Sequence, residues 1–239
     1  MKKNLAILAI LLLLAPCSSL LAPCSSLLAP CSFVHAQTHR VLLETTEGNI
    51  LISLSDETPL HRDNFLRLAG EHFYDSLLFH RVIKGFMIQA GDPTSRHAEP
   101  GVELGEGEVG YTLPAEFRTP LLFHRRGAVA MAREGDEANP DRRSSGCQFY
   151  IVWGTTFSSQ QLEDMQERLD TMTNHTVQFT SEMIRYYRRV GGTPHLDGQY
   201  TVFGEVVEGL DVVERIQRVM TDDYDRPVND VRILRAIVL

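Results

Sequence analysis

Residues 78–94 read LFHRVIKGFMIQAGDPT. Two apolar-rich segments, 78–83 and 86–90, flank Lys84 and Gly85, the composition of a β-hairpin closed by a short turn. Successive side chains of a strand point to opposite faces, so Met87 and Gln89 share a face and Arg81 can lie across the ladder from them. An arginine and a glutamine then stand beside a methionine on a sheet otherwise built from valine, isoleucine and phenylalanine. Such a mixture can hold an apolar ring and place hydrogen bonds on the polar group next to it. A half-buried hairpin with a snorkelling arginine has the same composition, so the choice between the two rests on the remainder of the chain.

The chain has 239 residues, 43% hydrophobic and 23% charged, which suits one globular domain with additions. Its formal charge is -8, and the only charged residues among the first 36 are Lys2 and Lys3, so the body is more acidic still. An acidic body argues against nucleic-acid and anionic-membrane partners. Cys17, Cys24 and Cys31 all precede the body, which keeps only Cys147 and so cannot form an internal disulfide. Neither a zinc-ligand spacing nor an HExxH motif occurs, and no metal or other cofactor is expected.

Residues 1–36 have the form of a secretory signal, with a basic start, a leucine-rich run and a small-residue site at Val34-His35-Ala36. Export, to a periplasm, is the expectation. LAPCSSL occurs at 14–20 and 21–27 and begins again at 28, and each copy sets a cysteine after Leu-Ala-Pro, so a lipid-anchored form stays open. Pro16, Pro23 and Pro30 interrupt the run short of the ~20 apolar residues a membrane span needs.

The body, residues 37–239, begins with a hairpin candidate at 40–55 around Glu47-Gly48-Asn49. A helix follows at 59–70, with Asp56 or Thr58 as N-cap and Phe65, Leu66, Leu68 and Ala69 as its apolar stripe. After the central hairpin, 93–113 reads as a surface loop rich in Gly, Glu and Pro. Strands resume at 127–132, 148–153, 200–207 and 231–238, with a helix at 210–219. An antiparallel β-barrel with helices over its open ends would bury such strands without free edges. Residues 155–194 break the pattern with two helical stretches, 158–172 and 180–190, read as an excursion from the barrel. The first is acidic (Glu163, Asp164, Glu167, Asp170) and the second basic (Arg185, Arg188, Arg189), which suggests an antiparallel pair with charge complementarity across it. Its exit leads straight into His195 and Leu196.

The segments FHRVIKGFMIQAGDPT, GAVAMA, SSGCQFYI and LDGQYTVFGEV occur in the order and at roughly the spacing of the cyclophilin-type peptidyl-prolyl cis-trans isomerases. The chain resembles that family from about residue 41 to 239, apart from the insertion. The resemblance implies a mainly β fold: a closed eight-stranded antiparallel barrel capped by two helices. It also implies roles position by position. Arg81 matches the arginine that bonds the prolyl region of the substrate, with His80 before it. Phe86, Met87, Tyr150 and Leu196 match positions lining the proline pocket, and Gln89 and Gln148 two polar groups of the site. Ala132 and Arg133 match the strand that pairs with substrate backbone, and Tyr200 a ring position at the pocket rim. His195 stands where many members have tryptophan and Arg133 where many have asparagine. The first change removes an indole donor that favours cyclosporin-type inhibitors; the second adds a charge beside the backbone-pairing strand.

Rotation about an Xaa-Pro bond faces a barrier of ~18–20 kcal/mol, although its isomers differ by only about 0.5–1 kcal/mol. No bond is made, so no nucleophile or redox group is required; what helps is binding the twisted amide better than either planar form. The expected partners are proline-containing peptides and unfolded protein clients, met by a monomer. A module that binds proline peptides as a chaperone with little turnover is the alternative. A β-barrel carrier for a small apolar ligand would leave Arg81 unexplained.

Overall fold

The computed structural model describes residues 39–239. The signal segment, its three cysteines and the LAPCSSL repeat lie outside the described residues. The chain opens with strands β1 (Arg40–Thr45) and β2 (Gly48–Leu54), paired antiparallel around the expected turn. Helix α1 (Pro59–Gly70) leads to β3 (Arg81–Ile83) and β4 (Met87–Ala90). Strands β5 (Thr112–Leu113), β6 (Ala128–Met131), β7 (Ser144–Ser145) and β8 (Phe149–Val152) follow. Helices α2 (Ser159–Thr173) and α3 (Ser181–Arg189) form the insertion. Strand β9 (Val202–Glu208), helix α4 (Leu210–Ile216) and strand β10 (Ile233–Val238) complete the chain.

Eight strands make one antiparallel sheet in the order β10-β1-β2-β9-β6-β8-β4-β3. The expected closed barrel is corrected in one respect: β3 and β10 do not pair, and the sheet is a half-barrel. The gap is crossed by the irregular segment before β3, where Ser76 and Phe79 donate their N–H groups to the carbonyls of Ile233 and Val231, and Ile233 donates to Leu77. Residues 78–80, expected as strand, serve this closure instead. The expected loop at 93–113 also contains order, a 3-10 turn at Pro93–His97 and strand β5, which pairs with β7. Two residues of strand are too short to leave a period in the sequence.

Period-two alternation decides which side of the sheet each residue serves. Val41, Leu43, Ile50, Ile52, Ile88, Val129, Phe149, Ile151 and Phe203 face one core, completed by Phe65 and Leu68 of α1 and Val213 and Ile216 of α4. Met87, Ala128, Ala130, Tyr150, Val152 and Val202 form a second apolar cluster, with Phe86, Leu196 and Tyr200 packed on it. Strands β4, β6, β8 and β9 are therefore apolar on both faces, and the second face is where a site can form.

Neither proposed residue caps α1 through its side chain: Thr58 holds the N-cap position without a side-chain bond. The distant Glu116 takes over, its carboxylate accepting from the N–H groups of Leu60 at 3.4 Å and His61 at 3.1 Å. A negative charge at a helix N-terminus both satisfies orphan donors and opposes the helix dipole. His61 bonds the same carboxylate at 2.7 Å and Ser144 Oγ at 2.9 Å, in a fully buried arrangement.

The insertion and the barrel form one compact unit. Ser158 and Gln161 close a reciprocal capping box on α2, and Thr180 caps α3. Leu162 of α2 packs with Met183 and Tyr187 of α3 and with Phe123 of the barrel. The expected charge complementarity is not found: among the described residues no ion pair joins α2 to α3. Glu163, Asp164, Glu167, Arg185, Arg188 and Arg189 all lie exposed, while the apolar faces make the contact.

Candidate active site

The central hairpin forms as its alternation predicts, and Arg81 lies directly opposite Gln89 in its register. Gln89 in turn faces Tyr150 on β8. This brings Arg81, Phe86, Met87, Gln89, Tyr150 and Leu196 around a cavity of about 150 Å³, completed by Ala132, Arg133 and Tyr200. Nine of the residues singled out from sequence thus share one cavity. His80, Gln148 and His195 are placed differently.

Gln148 sits behind the wall. Its side-chain amide donates to the carbonyls of Gly105 at 2.7 Å and Gly107 at 2.9 Å, and its Oε1 accepts from Gln89 Nε2 at 2.9 Å. With one N–H of its amide given to Gln148, Gln89 keeps its other N–H and its carbonyl oxygen on the face it shares with Arg81. Gly91 is needed to bring β4 this close to the start of β8: its φ is +105°, and a Cβ there would stand 2.2 Å from the Cys147 carbonyl oxygen.

His80 is 2% exposed, and neither ring nitrogen has a hydrogen-bond partner among the described residues. Burial lowers its pKa to about 4, against the pull of the nearby Asp92. It is a wall residue rather than a cavity lining. Burial would raise Asp92, yet the hydrogen bonds from Thr94 and Gly105 outweigh it and hold the carboxyl below its usual value.

His195 stacks on Phe86, ring centroids 5.6 Å apart at 25°, and so extends the cavity wall outward. Leu196 belongs to a single 3-10 turn with it. Arg133 brings less free charge than its sequence position suggests. Its guanidinium lies 4.5 Å from the Tyr200 ring centroid, donates to the Gln199 carbonyl at 2.8 Å and pairs with Asp136 at 2.7 Å. It fixes the Tyr200 ring at the cavity rim.

The two backbone-pairing candidates divide their work. Ala132 donates to the Gln148 carbonyl at 2.9 Å and accepts from the Ser145 N–H at 2.8 Å, so both its backbone groups are used inside the fold. The backbone N–H and C=O of Arg133 have no backbone partner among the described residues.

Two features escaped sequence reasoning. Asp225, on the loop before β10, sets Oδ2 3.5 Å from Arg81 Nε, and its carbonyl accepts from the Val82 N–H. Tyr150, whose hydroxyl is pushed well above its ordinary pKa by burial, bonds His124 Nε2 at 3.0 Å; His124 Nδ1 bonds Asp197 at 2.9 Å. No local pattern announces either, because each joins segments far apart in the chain.

An apolar pocket, a guanidinium at its rim and a backbone edge without backbone partners among the described residues thus lie side by side. The half-barrel that carries them places the molecule among the antiparallel β-barrel-like proteins. Residues 40–238 match the family model for the cyclophilin type peptidyl-prolyl cis-trans isomerase/CLD. A putative peptidyl-prolyl cis-trans isomerase of Staphylococcus haemolyticus is 34% identical over 197 residues, covering 81% of this chain and 88% of that one. The peptidyl-prolyl cis-trans isomerase-like 2 protein of Rhizopus delemar is 32% identical over 195 residues, 79% of this chain, but the match spans only 27% of that longer protein. A crystal structure of a Cryptosporidium parvum cyclophilin type isomerase shares the fold, with a TM-score of 0.58 and 23% identity over 84% of this chain and 98% of that one. The chain belongs to the cyclophilin-type peptidyl-prolyl cis-trans isomerase family, a family of isomerases.

Proposed function

We propose that this protein accelerates rotation about Xaa-Pro bonds in proline-containing segments of unfolded, exported proteins, acting as a monomer. The observation that carries the reading is the placement of Arg81 opposite Gln89 at the rim of the apolar cavity formed by Phe86, Met87, Tyr150 and Leu196. The proline ring enters the cavity, the client backbone pairs with Arg133, and the residue before proline turns. As the amide twists, the prolyl nitrogen becomes pyramidal and gains a lone pair, to which Arg81 donates. That bond exists only in the twisted state and therefore lowers the barrier rather than merely tightening binding. A related structure solved in the presence of the dipeptide Ala-Pro supports a prolyl ligand. The test is a protease-coupled isomerisation assay on a short Xaa-Pro peptide. Binding without acceleration would leave only the chaperone module.

The basic start, the leucine-rich run and the Val34-His35-Ala36 site support export to a periplasm. Mass spectrometry of the protein from its host should find a chain beginning at or near Gln37, or at an acylated cysteine in the lipid-anchored form. An intact Met1 terminus on a cytoplasmic protein would refute export.

A further inference from the structure

The insertion contributes a second cavity that borders the first. It measures about 560 Å³ and runs between α2 and the segment 195–200. Arg133, Leu196 and Tyr200 line both cavities, so the two lie side by side across these three shared residues. Its far wall is a helix face: Met165, Leu169 and Met172 recur at spacings of four and three, which stacks them on one side of α2.

These side chains are not equally needed to seat the helix. Leu162 and Leu169 are buried, at 2% and 1% exposure, and anchor it. Met172 is 50% exposed and Met165 half-buried, so an apolar wall is left open beside the proline cavity. The wall is held in place before any ligand arrives. The capping box fixes the start of α2, and Arg142 donates to the Met172 carbonyl at 3.0 Å near its end. A preformed groove loses little ordering entropy on binding, and unbranched methionines adapt to side chains of different shape.

We propose that this groove is a subsite for an apolar side chain of the same client chain whose proline occupies the first cavity. The inference rests on the proposed function and extends it: the insertion makes the enzyme prefer prolines that have a large aliphatic or aromatic residue a few positions away. A tetrapeptide centred on proline leaves the groove empty, whereas a longer segment fills both cavities. The occupant follows from adjacency: the second cavity shares Arg133, Leu196 and Tyr200 with the first, which puts the Met165–Met172 face within reach of a chain whose proline sits in the first cavity.

The experiment compares longer peptides carrying a single Xaa-Pro bond, with leucine placed a few residues before the proline or a few residues after it, against serine controls. Exchange NMR gives kcat/KM for each, and methyl-labelled protein reports whether Met165 and Met172 move on titration. A preference for leucine on the order of tenfold is expected on one side, from burial of one aliphatic side chain. The preference should vanish in the Met165→Lys/Met172→Lys double variant and survive in Met165→Leu/Met172→Leu. Normal tetrapeptide turnover with no leucine preference on either side would overturn the groove and leave the isomerase reading intact. Absent turnover with leucine-dependent shifts at both methyls would sink the isomerase reading and support the groove. Absence of those shifts overturns the groove in either case.

Discussion

The Tyr187 hydroxyl donates to Asp197 Oδ2 at 2.6 Å, and both residues are fully buried. The other carboxylate oxygen of Asp197 accepts from the His124 backbone N–H at 2.8 Å and from its Nδ1 at 2.9 Å. That fixes the His124 proton on Nδ1 and turns Nε2 toward the Tyr150 hydroxyl, 3.0 Å away. A residue of the insertion thus completes the polar shell of a carboxylate that, through His124, orients Tyr150 at the wall of the cavity beside Arg81. The insertion is tied into the barrel rather than draped on it.

Tyr187→Phe should therefore destabilise the protein by about 1–3 kcal/mol, the cost of leaving a buried acceptor without its partner. Urea unfolding measures it. A change below about 0.5 kcal/mol, the range of ordinary surface substitutions, would show that Asp197 does not depend on the insertion.

Arg81→Ala should lower kcat/KM tenfold to hundredfold, since one charge-assisted hydrogen bond is worth ~1.5–3 kcal/mol. Stability should hold: the Arg81–Asp225 pair is 45% and 42% exposed, and such pairs contribute at most about 1 kcal/mol. Wild-type turnover from a variant with an unchanged circular dichroism spectrum would contradict the role of Arg81.

Acid should weaken the fold through His80. Its pKa falls from an ordinary 6.5 in the unfolded chain to about 4 in the buried site, so the unfolded state binds the extra proton between those values. The stability it provides is complete above pH 6.5 and is lost progressively as pH drops toward 4, by on the order of 3 kcal/mol in all. Asp92, held below its usual value, adds to the loss only at still lower pH. Urea midpoints at pH 7.5 and 4.5 test this. His80→Leu should flatten the difference, and an equal acid loss in variant and wild type would rule His80 out as its source.

His195→Trp should tighten cyclosporin binding. The histidine already stacks on Phe86 at the cavity edge, and an indole there adds both apolar area and an N–H donor. Titration calorimetry with unchanged or weaker affinity would show that position 195 does not contact the inhibitor.

Much of the site was legible because strands have a period of two. Once 81–83 and 87–90 are strands, Arg81, Met87 and Gln89 must fall where they do, and Tyr150 must oppose Phe149 across the sheet. The helices of the insertion were equally readable, since their caps and apolar spacings are local. Pairings that close over long stretches of chain were not. Glu116 at the start of α1, Asp225 beside Arg81, and the use of Ala132 inside the fold while Arg133 keeps a free backbone edge all depend on where distant segments come to rest. The same holds for the failure of β3 to pair with β10, which follows from closure by residues 76–79 ahead of the strand. Sequence thus determined which side chains share a face, because that follows from backbone geometry a few residues at a time. Only the tertiary structure decided which faces meet, because that is set by packing the whole sheet, its helices and the insertion around common cores.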